Sequence, residues 1–212
     1  MNFYSNITLF GPSQIEIARE LMRKNHAAVV SPTVKGYTVI SEEQCDSDDI
    51  NDSEPLALML SAWFKCPVLV VLNKHDGILL YKLYSDGIFL DEYNSSPDYF
   101  NIAHNVLSDV FSSVPVGGNP EVICTVLAKP ECIIGVEEVL HQQGNYRYRC
   151  DDCPAQERHR DLTEELGIPE FSIGFSFSSI LQDAFLPYLT NQELIYTGYL
   201  ARARSTDVGQ SG

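Results

Sequence analysis

The apolar positions of this chain mark strands interleaved with two helices in its first half and mainly helices in its second. Residues 3–10, FYSNITLF, predict a strand. GPSQIEIARELMRKN follows with helical spacing: Ile17, Ala18 and Leu21 share one face, and Ser13 and Glu16 have the spacing of a capping box. AAVVSPTVKGYTVIS predicts two extended segments around a turn at Lys35-Gly36, with Pro32 at an edge or outside the ladder. The opening therefore predicts β-α-β-β. After an acidic stretch, Leu56, Met59, Leu60, Trp63 and Phe64 form one apolar stripe of a helix, with Ser53 as its expected cap and Pro55 in its first turn. CPVLVVLN is continuously apolar, as expected of a central strand covered on both faces.

Asp76-Gly77 and Asp86-Gly87 suit the two left-handed positions of a type I′ hairpin turn. A two-residue loop at 86–87 pairs Ser85 with Ile88. It then sets Tyr84 opposite Phe89, Leu83 opposite Leu90 and Lys82 opposite Asp91. Like meets like and cation meets anion, each pair contributing about 0.2–1 kcal/mol. Residues 78–93 are therefore expected to form a β-meander whose tyrosines and phenylalanines serve packing rather than catalysis.

The second half carries helical spacing. In SSPDYFNIAHNVLSDVFSSV, Ser96 is the expected cap, and Phe100, Ala103, Leu107, Val110 and Phe111 the buried face. GGNPEVICTVLAKP repeats that logic with Asn119 as cap and Pro120 after it. IGVEEVLHQQG and PAQERHRDLTEELGIP give two further helices, ending at Gly144 and at Gly167. EFSIGFSFSSI predicts a late strand.

Charge changes the picture more than size does. Among 212 residues, 14 Lys and Arg face 29 Asp and Glu, a formal charge of −15. Phosphates are repelled by such a surface, so nonspecific binding to nucleic acid or to anionic membranes is not expected. A basic protein partner is. No run of about 18 apolar residues predicts a membrane span, and MNFYSNITLFGPSQ lacks the features of a signal peptide. The six cysteines are expected to be reduced thiols in a cytoplasmic setting.

Four constellations could carry chemistry. Cys150 and Cys153 have metal-ligand spacing, and His141 and His159 could complete a tetrahedral set. No second CxxC exists, and Asp151 and Asp152 oppose thiolate formation, so neither a metal nor another cofactor is expected. The seven acids over 42–54 lack the order of an EF-hand. VGGNPE, a Gly-rich turn before a helix, lacks a phosphate-loop lysine; turn plus N-cap is its expected role. Arg147, Arg149, Arg158 and Arg160 form an island of positive charge that could recognise carboxylate or phosphate. The competing reading is local balance against Asp151, Asp152, Glu157 and Asp161.

SPTVKGYTVISEEQCD, CPVLVVLNKHDGILLYKLYSDGIFLDEYNSSPDYF, GGNPE and ERHRDLTEELGIP together resemble a group of uncharacterised bacterial proteins. These share a tyrosine-rich meander, a Gly-Gly-Asp/Asn turn and an Arg-His-x-x-Leu block. The resemblance spans about residues 27–170 and implies one domain in a bacterial cytosol. It implies no activity.

The expected fold is α+β: a mixed or antiparallel sheet with a β-meander, covered by helices, with a mainly helical C-terminal half. Residues 1–200 are expected to form a single domain and 201–212 a disordered tail. The expected function is a non-catalytic interaction or regulatory protein that engages a basic partner, as inhibitor or immunity proteins do. The alternative is an enzyme of unassigned class, with hydrolase first, whose site is assembled from residues distant in sequence.

Overall fold

A computed structural model describes residues 3–74, 77–97, 114–142, 154–182 and 193–199. The fold is α+β. Strands β1 (Phe3–Phe10), β2 (Ala28–Val30), β3 (Tyr37–Glu42), β4 (Val68–Lys74), β5 (Ile78–Ser85), β6 (Ile88–Asn94), β7 (Val116–Gly117) and β8 (Ile195–Tyr196) form one sheet. Its order is β7-β6-β5-β4-β1-β3-β2-β8, and every pairing is antiparallel. The described helices are α1 (Gln14–Arg23), α2 (Glu54–Phe64), α3 (Pro120–Val126), α4 (Ile133–His141), α5 (Pro154–Leu166) and α6 (Phe177–Leu181). Residues 98–111 of the helix expected after Ser96, and the tail 201–212, lie outside the described residues.

Alternation along the strands sorts the core into two layers. Ile7, Leu9, Val68, Val70 and Leu72 pack against Ile17 and Leu21 of α1 and Leu56 and Leu60 of α2. On the opposite face, Leu69, Val71, Tyr81 and Tyr93 pack against Ile123, Val136, Leu140 and Leu162 of α3, α4 and α5. A third cluster joins Val29, Val39 and Tyr196 to Phe171, Phe175 and Phe177. All seven residues of β4 are buried, because helices cover both of its faces.

Local signals set most of the elements. Ser13 and Glu16 form the expected capping box on α1. Asn119 caps α3 by accepting from the Val122 N–H, with Pro120 after it. Gly117, φ +74°, has no room for a side chain: a Cβ would meet the Glu92 carbonyl oxygen at 2.1 Å. The Gly-Gly turn therefore brings the chain against β6. Ser53 departs from expectation. A short 3-10 helix, Ile50–Ser53, runs directly into α2, so Ser53 is helical and its side chain caps nothing.

Three further strand expectations need correction. Lys74 pairs with Ile78, so three residues rather than two connect β4 to β5. In the next hairpin Ser85 faces Ile88 and Tyr84 faces Phe89 as expected, but then Leu83 faces Asp91 and Lys82 faces Glu92. Leu90 is the extra residue of a β-bulge. The shift brings the Asp91 carboxylate to the Tyr81 hydroxyl at 2.7 Å and the Asn119 N–H at 2.8 Å. Lys82 reaches Glu54 and Asn51 instead of Asp91. EFSIGFSFSSI is not a strand. Glu170–Ser172 is a 3-10 turn and Phe177–Leu181 a short helix capped by Ser176, with Gly174 at φ +81° between them. Asn6 holds the segment there by donating to the carbonyls of Ser172 and Phe175.

Candidate functional site

Helix α5 carries three of the side chains that the sequence marks as candidates, and packing buries two of them, Arg158 and His159. Arg158 is 5% exposed. Its guanidinium donates to the carbonyls of Val139 (2.6 Å), Leu140 (2.9 Å) and Gln142 (3.3 Å). These lie at the C-terminal end of α4, where carbonyls have no intrahelical partner and the helix dipole favours a cation. Tyr93 donates to the same Leu140 carbonyl. Arg160 pairs with the buried carboxylate of Glu157 one turn earlier. The Arg158 fork is therefore turned inward, while the Arg160 side chain stays 26% exposed. Arg147 and Arg149 lie outside the described residues.

His159 is 2% exposed and shares a 2.7 Å hydrogen bond through Nδ1 with the Tyr4 hydroxyl on β1, with the two rings stacked at 5.6 Å. Burial first, and the neighbouring Arg160 charge second, push its pKa from 6.5 down to about 3. The imidazole is therefore neutral at physiological pH. His141 sits elsewhere, with Nδ1 at Glu137 and Nε2 at the Gly117 carbonyl on β7. β7 and β1 are fourth neighbours in the sheet, on the order of 19 Å apart. The two histidines are not brought together, as a shared tetrahedral ion would require. Cys150 and Cys153 lie outside the described residues. Among the described residues no three His, Cys, Asp or Glu side chains gather as a metal site.

The sheet also buries the polar side chains of Tyr4, Asn6, Ser41 and Asn73, and Ser172 of the 170–172 turn is buried as well. Ser41 donates to the Ser5 carbonyl, and Asn6 holds the 170–175 segment. Tyr4 and Asn6 thus form a buried link that ties β1 to α5 and to the 170–175 segment. Sequence reasoning missed it, because its members come from opposite ends of the chain.

Among the described residues, two surface hollows are concave enough to take a ligand. One, of about 440 Å³, lies between Val34 and Lys35 of the β2–β3 turn and Ile168 and Phe171 after α5. The other, of about 320 Å³, lies beside Tyr81, Lys82, Glu92 and Tyr93. Thr163, Glu164 and Glu170 also line the first, and no histidine, cysteine or serine lines either.

The surface feature that stands out is apolar. Ile88, Phe89 and Leu90 are 61%, 45% and 36% exposed. They follow the turn of the β5–β6 hairpin without interruption. Asp86 and Glu92, exposed carboxylates, flank them. The Phe89 ring meets buried Tyr84 edge-on at 5.8 Å, so one side of the strip is anchored. Among the described residues no helix is long and apolar enough to cross a membrane. No family model, no curated protein and no solved structure matches this chain.

Proposed function

We propose that this chain is a non-catalytic protein-binding protein whose partner is basic. The observation that carries the reading is the exposed Ile88-Phe89-Leu90 strip, flanked by Asp86 and Glu92, on a chain of charge −15. Consecutive apolar side chains left in water beside an orderly core are the mark of an interaction site. Acidic flanks select a partner that brings Lys or Arg around an apolar centre. Arg158 and His159 are engaged in packing, which leaves the apolar strip as the more prominent surface candidate.

The test uses the whole chain as bait in a bacterial lysate. It is compared with a Phe89→Ser/Leu90→Ser variant and an Ile134→Ser variant. Ile134 is exposed on α4, away from the strip. A partner retained by Ile134→Ser and lost by the double variant is expected. Equal capture by all three overturns the assignment of the strip. Turnover of ester or phosphoester substrates by the purified chain would favour the enzyme reading.

A further inference from the structure

We propose that the partner binds by adding a short β-strand to the outer edge of β6, and that this strand is an extended segment with an apolar centre and a basic residue at each end. The inference rests on the protein-binding reading and adds its geometry.

The edge is open where the apolar strip lies. β7 pairs only with Tyr93 and Asn94, and the Gly118 N–H takes the Glu92 carbonyl at 2.7 Å. From Ile88 to Asp91 β6 has no strand on its outer side among the described residues. The turn decides which backbone groups face outward. Asp86 and Gly87, at φ 52° and 76°, make a two-residue connection, with Ser85 opposite Ile88 beside it. That first pair exchanges its hydrogen bonds, so the backbone N–H and C=O of the next residue, Phe89, point away from β5. An edge with outward donors and acceptors is a template for strand addition. The bulge at Leu90 increases the local twist, so the edge suits a short segment and not a long flat one.

Charge decides between a foreign segment and a second copy of this chain. Two copies pairing antiparallel about Phe89 would set Asp86 of each opposite Glu92 of the other. Like charges directly opposite destabilise a pair, and each chain carries −15. A segment with Lys or Arg at the same two places converts both repulsions to attractions.

The probe is the peptide acetyl-Lys-Val-Thr-Val-Thr-Val-Lys-amide, titrated into isotope-labelled full chain by NMR. A second peptide has the same side chains with alternate backbone nitrogens methylated. The first is expected to shift the amides of Phe89 to Glu92. The methylated peptide is expected to bind at least roughly tenfold more weakly, since it cannot complete the ladder. Phe89→Pro, which removes the outward N–H, should abolish binding where Phe89→Ala only weakens it. Thermal unfolding of both variants verifies the fold. Should Phe89→Pro not fold, the peptide pair still decides. Equal binding of the two peptides at the strip overturns strand addition and leaves the protein-binding reading intact. No shift with either peptide, while a lysate partner still depends on Phe89 and Leu90, also overturns strand addition alone. Absence of any strip-dependent partner removes the protein-binding reading itself.

Discussion

The backbone N–H of Gly87 donates to the Ser61 hydroxyl at 3.0 Å, and that hydroxyl donates in turn to the Leu58 carbonyl. The β5–β6 turn is thereby tied to helix α2. Gly87 holds φ +76°, and a Cβ there would stand 2.9 Å from the Ala62 Cβ. Gly87→Val combines a left-handed β-branched residue with an overpacked contact. It is expected to cost about 2–5 kcal/mol, read from the midpoint of chemical denaturation. A harmless Gly87→Val would mean that the turn is not docked on α2.

His159 predicts a pH dependence of stability. Its folded pKa is about 3, against an ordinary 6.5. As pH falls below 6.5 the unfolded chain takes up a proton that the folded chain refuses. Stability is therefore full above 6.5 and declines toward 3, at up to about 1.4 kcal/mol per pH unit for this one group. Carboxylates also titrate in that range, so the comparison is with His159→Gln, which cannot gain the proton. The wild-type chain should lose stability more steeply than the variant on acidification. Parallel curves would show that His159 protonates without leaving its place beside Tyr4.

Arg158→Ala should destabilise the chain by about 2–3 kcal/mol, because it strips the charged donor from carbonyls at the end of α4. Arg158→Lys keeps the charge but not the planar fork, and should recover only part of the loss. Denaturation of both variants is the measurement. If Lys restores full stability, the charge alone holds the helix end.

Association with the basic partner should weaken as salt rises. Attraction between charges separated by more than about 10 Å is screened at 0.1 M salt. Titration calorimetry at low and high salt should show the change chiefly as lost affinity. An unchanged constant would assign binding to the apolar strip alone, without help from Asp86 and Glu92.

What could be read from the chain in advance depended on the distance over which each decision is made. The capping box needs only Ser13 and Glu16, three residues apart, and it formed as read. The turn at Asp86-Gly87 fixed the two pairs beside it and no more. The bulge at Leu90 answers to the Asp91 carboxylate, whose donors are Tyr81 and the Asn119 N–H, 10 and 28 residues away. EFSIGFSF alternates like a strand, and what holds it otherwise is Asn6, 166 residues earlier. Helical spacing placed His159 and Arg158 on α5, but it could not reveal that one would meet Tyr4 on β1 and the other the end of α4. The two-residue strands β7 and β8 are too short to leave a period. The exposed strip on β6 read as ordinary strand residues, since exposure is a property of the assembled sheet.

The pairing of β8 with β2 sets an order of events during synthesis. Ala28 and Thr197, 169 residues apart, are joined by hydrogen bonds. At about 5–20 residues per second, a ribosome needs roughly 10–30 s to deliver the second after the first. Throughout that interval β1 is already made. Tyr4 and Asn6 must wait in water for His159, Ser172 and Phe175. A nascent chain that has reached β6 holds the strands of the sheet's centre but none of α3, α4 or α5. Tyr37, Tyr81 and Tyr93 then form an unroofed aromatic face. For this chain the period of greatest exposure to aggregation lies between the synthesis of the meander and the arrival of α5.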